Sequence, residues 1–124
     1  MEDSATKLTL QLDLARSRIR VHRNTLAALG NPEYILLIVN PEEKTLGIIE
    51  THNTPGAHRI KYGGGKQCQE LYSTSLARQF RLVMPNWING GKYLLTGDVM
   101  ADGTAVFPME TAIHTATGKP KYHD

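Results

Sequence analysis

The feature that most limits what this chain can fold into is a weak internal repeat. Residues 34–48 read Tyr-Ile-Leu-Leu-Ile-Val-Asn-Pro-Glu-Glu-Lys-Thr-Leu-Gly-Ile, and residues 93–107 read Tyr-Leu-Leu-Thr-Gly-Asp-Val-Met-Ala-Asp-Gly-Thr-Ala-Val-Phe. They align without a gap, with Tyr34 on Tyr93, Thr45 on Thr104 and Ile48 on Phe107. Each has two apolar runs around a polar turn and follows a short helical pattern. A repeated strand–helix–hairpin unit predicts one body with approximate two-fold symmetry. The 124 residues suit a single domain over residues 1–124, with repeats at 18–51 and 70–111. Half that length would be marginal alone, so both units must share one core.

The pattern along the chain fills in the units. Leu8, Leu10, Leu12 and Leu14 alternate with Thr9, Gln11 and Asp13, the period of a half-buried strand. After a bend at residues 15–17, Ile19 and Val21 alternate with Arg18, Arg20 and His22. Asn24 is the expected N-cap of a short helix over residues 25–29, stopped by Gly30. Residues 34–39 read as a central strand, 40–44 as a turn and 45–51 as the partner strand. Short strands are expected at 58–62 and 70–73, with Gly63, Gly64, Gly65 and Lys66 as a turn between them. Thr74 or Ser75 should cap a second helix whose apolar face is Leu76, Phe80 and Val83. Residues 92–100 and 104–110 form the second hairpin, turning at Asp102-Gly103. Residues 112–124 read as a flexible tail. The expected fold class is mostly β (α+β): a small pseudo-two-fold barrel from two strand–helix–hairpin units, with two short helices. Closure would hide the edges that such apolar strands otherwise expose. The shared core is expected at Leu26, Leu29, Ile35, Leu37, Phe80, Val83, Leu94 and Phe107.

The formal net charge is only +2, so its distribution matters more than its sum. Arg16, Arg18, Arg20, His22 and Arg23 cluster with no acid among them. Alternation places Arg18, Arg20 and His22 opposite Ile19 and Val21, and guanidinium groups bond phosphates and guanine edges in pairs. The plainer reading is a solvated strand face balanced by Glu42, Glu43 or Glu50. The single cysteine, Cys68, excludes a disulfide within the chain. The acidic N-terminus lacks a signal-peptide core, and no apolar run approaches the roughly 20 residues that span a bilayer. The expectation is a cytoplasmic protein without a membrane partner.

Catalytic patterns are missing. The Gly63–Gly65 run and Lys66 lack the spacing of a phosphate loop and read as a hairpin turn, though Lys61 and Lys66 could touch a phosphate there. His22, His52, His58, His114 and His123 form no metal-ligand spacing. Nothing around Cys68 suggests an activated thiol. Ser73, Ser75, Asp98 and Asp102 match no nucleophile elbow. No catalytic residue, metal or cofactor is assigned, and the chain reads as non-enzymatic. Trp87, in a loop with Asn86, Asn89, Gly90 and Gly91, is either an interaction surface or a cap on one end of the barrel.

Residues 18–30, Arg-Ile-Arg-Val-His-Arg-Asn-Thr-Leu-Ala-Ala-Leu-Gly, resemble the start of an AbrB-type swapped-hairpin DNA-binding domain. Leu26, Leu29 and Gly30 fall at the family's Leu-Gly helix end, and the resemblance runs over residues 18–50. The chain differs at His22, where the family has proline, and at residues 31–33, which replace a Gly-Asp turn. A degenerate second unit at 70–110 resembles the MraZ-like relatives with tandem units. The resemblance implies an interlocked barrel and double-stranded DNA as partner, with Arg16, Arg18, Arg20 and Arg23 as contacts and a homodimer adding avidity. The alternative is a protein-interaction or assembly module. An open positive face around Arg18 and Arg20 would favour the first reading, and arginines held by acids the second.

Overall fold

Strand alternation and two amphipathic helices account for most of the backbone. The computed structural model describes residues 7–63 and 68–116. The elements are β1 (Leu8–Asp13), β2 (Arg18–His22), α1 (Arg23–Ala28), β3 (Tyr34–Asn40), β4 (Thr45–Thr51), β5 (His58–Arg59), β6 (Cys68–Tyr72), α2 (Thr74–Val83), β7 (Lys92–Val99), β8 (Ala105–Pro108) and β9 (Ile113–Ala116). In β1 and β2 the leucines, Ile19 and Val21 point inward, while Thr9, Gln11, Arg18, Arg20 and His22 lie on the outer face. The expected turn at Gly64, Gly65 and Lys66, and His123, lie outside the described residues.

Both helix starts differ from the sequence expectation. α1 begins two residues early, with His22 at the N-cap and no side-chain cap. Asn24 instead donates through Nδ2 to the Lys7 carbonyl. The helix is tied down by Thr25, a buried hydroxyl that donates to the Thr9 carbonyl at 2.9 Å. Gly30 at φ 85 ends it, with the Asn31 amide returning to the Leu26 carbonyl. In α2 the cap is Ser73 rather than Thr74 or Ser75: its Oγ accepts the Leu76 amide at 3.1 Å. Leu76, Ala77, Phe80 and Val83 then face the core.

Eight strands run antiparallel in the order β5-β3-β4-β8-β7-β1-β2-β6 and curl into a nearly closed barrel, as the mostly-β expectation required. If the two ends of that order are joined, between β5 and β6, the ring becomes two-fold symmetric. β4 exchanges with β8, β3 with β7, β2 with β6, and β5 with β1. The first unit is therefore β2-α1-β3-β4-β5. The second is β6-α2-β7-β8, completed by β1 from the front of the chain.

Two expectations need correction. The ungapped repeat holds in β4 and β8 but slips by one residue in β3 and β7. Asn40 pairs with Thr45 across a four-residue loop, whereas the Met100 amide meets the Thr104 carbonyl across a three-residue loop with Gly103 at φ 91. The shorter loop moves every β7 side chain to the other face relative to the alignment. Tyr93 and Leu95 therefore point inward, and Leu94, an expected core residue, does not. Leu29 is only partly buried, and the other six expected core residues are buried. The expected tail from residue 112 is also not all tail, because β9 pairs with β7.

Candidate interaction site

β2 presents its arginines outward, but carboxylates of the same chain hold them. Arg18 donates through Nη2 to Oδ2 of Asp13 at 3.1 Å and lies 3.9 Å from Glu70. Its side chain is only 15% exposed. Arg16 reaches the same Asp13 oxygen at 3.1 Å, and Arg20 Nε donates to Glu70 Oε2 at 2.9 Å. Asp13 is 3% exposed and also accepts the Ala15 amide. The balancing acids are thus Asp13 and Glu70, not Glu42, Glu43 or Glu50. Glu70 became a partner only because β6 pairs with β2 and sets Arg20 opposite it. Desolvation raises its carboxyl pKa, but the Arg20 hydrogen bond, the charges of Arg20 and Arg18 and the Tyr72 hydroxyl together hold it below the usual range. Arg23 is exposed on α1, beside a small pocket lined by Lys61, Tyr62 and Cys68. Of the two arrangements open for Arg18 and Arg20, the strand has arginines held by acids rather than an open positive face.

Trp87 is half-buried and stacks on Tyr93 with ring centroids 4.3 Å apart and planes 14° from parallel. The Tyr93 hydroxyl accepts the Ile88 amide, and its ring meets His114 at 5.0 Å. Trp87 packs, partly buried, against the core, the kind of contact that the cap reading calls for. Among the described residues no three His, Cys, Asp or Glu side chains converge as a metal site. No helix among them is long and apolar enough to cross a membrane.

The two-fold relation leads to a different place. β5 holds the position that β1 holds in the other unit. β1 has six residues and pairs with both β7 and β2. β5 has two residues and, among the described residues, pairs only with β3. Carrying the β1–β2 register across the two-fold would set His58 against Leu71 and Arg59 against Glu70. That pairing does not form. Among the described residues only the Lys61 amide reaches across, donating to Gln69 Oε1 at 3.0 Å. A cleft of about 860 Å³ occupies the rest of the seam, with Ala57, His58, Arg59 and Lys61 on one wall and β6 on the other.

The local sequence explains why the seam stays open. Where β1 brings Leu8, Leu10 and Leu12, the matching positions hold Gly56, His58 and Ile60. Pro55 and Gly56, at φ 86, stop β5 from extending backward. His58 faces inward and is half-buried, and that burial lowers its pKa. One apolar side chain replaces three, so zipping β5 onto β6 recovers little burial. The edge is nevertheless poised for pairing. The Ile60 amide donates to Glu33 at 2.8 Å, so alternation turns the peptide groups of Arg59 and Lys61 away from β3 and toward the cleft.

The sequence reading missed this seam. Its signal was the contrast between Leu-Thr-Leu-Gln-Leu-Asp at residues 8–13 and Gly-Ala-His-Arg-Ile-Lys at residues 56–61, visible only once β1 and β5 are known to be equivalent. No protein-family model, no curated protein and no solved structure matches this chain.

Proposed function

We propose that the protein is a non-enzymatic interaction module that takes up an extended polypeptide segment at the β5–β6 seam. The observation that carries this reading is the unpaired joint: the fold's own symmetry calls for strand pairing there, and a cleft stands in its place. Strand addition at an exposed edge draws affinity from main-chain hydrogen bonds and selectivity from alternate side chains. Alternation turns the Arg59 peptide group of β5 toward the cleft, and among the described residues no strand pairs with that edge.

Duplex DNA binding through Arg16, Arg18, Arg20 and Arg23 is the competing reading. Three of those side chains already hold carboxylates, which weakens a phosphate contact by the cost of releasing them.

Peptide display against the protein should enrich short sequences that alternate apolar and polar residues. N-methylation of alternate amides in a selected peptide should abolish its binding, because the donors that join the edge are gone. Binding insensitive to N-methylation would overturn strand addition. Salt-dependent retention on duplex DNA, with no peptide enriched, would restore the DNA reading.

A further inference from the structure

We infer that the segment taken up is acidic: an extended strand with apolar residues at alternate positions and carboxylates between them. This inference rests on the strand-addition reading above.

The charge balance of the seam is one-sided. On the β6 wall, Glu70 is held by Arg20, and Arg18 by Asp13. On the β5 wall, Arg59 and Lys61 are exposed and make no ion pair among the described residues. The uncompensated charge is therefore positive and lies along β5. On the inner side of the seam the buried Leu71 lines the cleft beside the half-buried His58, with Ile60 buried in the core below. A strand laid between these walls turns one face to Leu71 and His58 and the other to the row of Arg59 and Lys61. Period-two alternation then dictates apolar residues on one face and acids on the other.

The intact joint supplies the template. In β1 the inward residues are leucines, and outward Asp13 meets Arg18 across the strand boundary at 3.1 Å. Lys61 stands at the position equivalent to Asp13, so this joint carries a cation where the intact joint carries an acid. An acid on the incoming strand restores an opposite-charge cross-strand pair. Arg59, Lys61 and the exposed ring of Tyr72 could also serve a single-stranded nucleic acid. The cleft-facing main chain of β5 has no use in that mode. The peptide is the better fit.

The test uses the full chain and three labelled probes: a peptide of about eight residues alternating valine and glutamate, the same peptide with lysine for glutamate, and an oligothymidine. Fluorescence anisotropy reads affinity, and amide chemical shifts locate binding. The glutamate peptide should bind and move the amides of residues 57–61 and 68–72. Raised salt should weaken it. Arg59→Glu and Lys61→Glu together should weaken it by about tenfold or more, and the milder Arg59→Gln should weaken it less. Both residues are exposed, so folding is preserved, and an unchanged melting temperature verifies it. If the lysine peptide binds the seam equally well, the acidic preference is wrong while strand addition stands. If neither peptide moves the seam amides, both readings fail. If oligothymidine binds there and the peptides do not, the site is a nucleic-acid site and the inference is overturned.

Discussion

Gly47 pairs with Val106 across the boundary between β4 and β8, and the internal repeat makes these two residues each other's equivalents. Their neighbours follow the same rule. Leu46 faces Phe107, the counterpart of Ile48, and Ile48 faces Ala105, the counterpart of Leu46. A local two-fold axis therefore passes through the Gly47–Val106 pair. On the opposite wall the Arg20–Glu70 pair is central to the β2–β6 ladder. The barrel is built about these two joints, and the seam is the place where the symmetry fails.

Gly97 in β7 and Gly47 in β4, the two strands that flank β8, should respond differently to one methyl group. A Cβ on Gly97 would overlap the Val106 carbonyl and come within 2.8 Å of the Phe107 ring. Gly97→Ala should therefore destabilise by about 2–3 kcal/mol or more. A Cβ on Gly47 meets nothing closer than Thr104 Cγ2 at 3.6 Å, so Gly47→Ala should stay within about 1 kcal/mol of wild type. Denaturant unfolding of both variants checks the contrast, and equal effects would contradict the packing around Phe107.

Phe80 joins α2 to the core and is 1% exposed. Phe80→Ala should cost about 3–5 kcal/mol, because the cavity left between the helix and the barrel cannot collapse fully. A loss within measurement error would place the ring outside the core.

Arg18 and Arg20, adjacent on the outer face, should differ in stability. Arg18 is largely buried and serves the buried Asp13, so Arg18→Ala should cost about 2–3 kcal/mol. Arg20 and Glu70 form a more exposed pair, so Arg20→Ala should cost at most about 1 kcal/mol. Thermal unfolding of the two variants decides this. Only Arg20 is a clean position for testing nucleic-acid retention, since its removal leaves the fold intact.

Stability should decline as pH falls below the ordinary histidine value. Burial first, and the Arg20 charge second, lower the pKa of His22 from 6.5, and burial lowers that of His58. The folded state then binds fewer protons than the unfolded chain, so stability is full above about pH 6.5 and falls as acid protonates the unfolded histidines first. The His22 Nδ1 contact with the Thr9 hydroxyl, at 2.6 Å, is part of what protonation disturbs. Melting temperatures from about pH 8 to about pH 5 should show this slope, and His22→Gln should flatten it. A slope unchanged in that variant would assign the effect elsewhere.

Most of the element inventory was legible in the sequence. β2 and β4 fall where alternation and turn residues place them, and α2 follows from Leu76, Phe80 and Val83. The hairpin repeat was legible too, apart from its one-residue slip. That slip depends on whether a loop closes over three residues or four, which the aligned letters do not reveal. The arginine cluster was legible as a cluster. Its partners were not, because Glu70 lies fifty positions from Arg20 in the chain.

The sequence alone determined the local choices: which residues extend, which coil, and which face of each strand is apolar. These rest on periodicity and turn chemistry within a few residues. The tertiary structure alone decided that β1 completes the second unit, that Asp13 and Glu70 hold the arginines, and that the β5–β6 joint remains open. Those outcomes depend on pairing between distant strands and on how much apolar surface each joint can bury. No local pattern encodes that comparison, because Ile60 becomes too little only when Leu8, Leu10 and Leu12 are its measure.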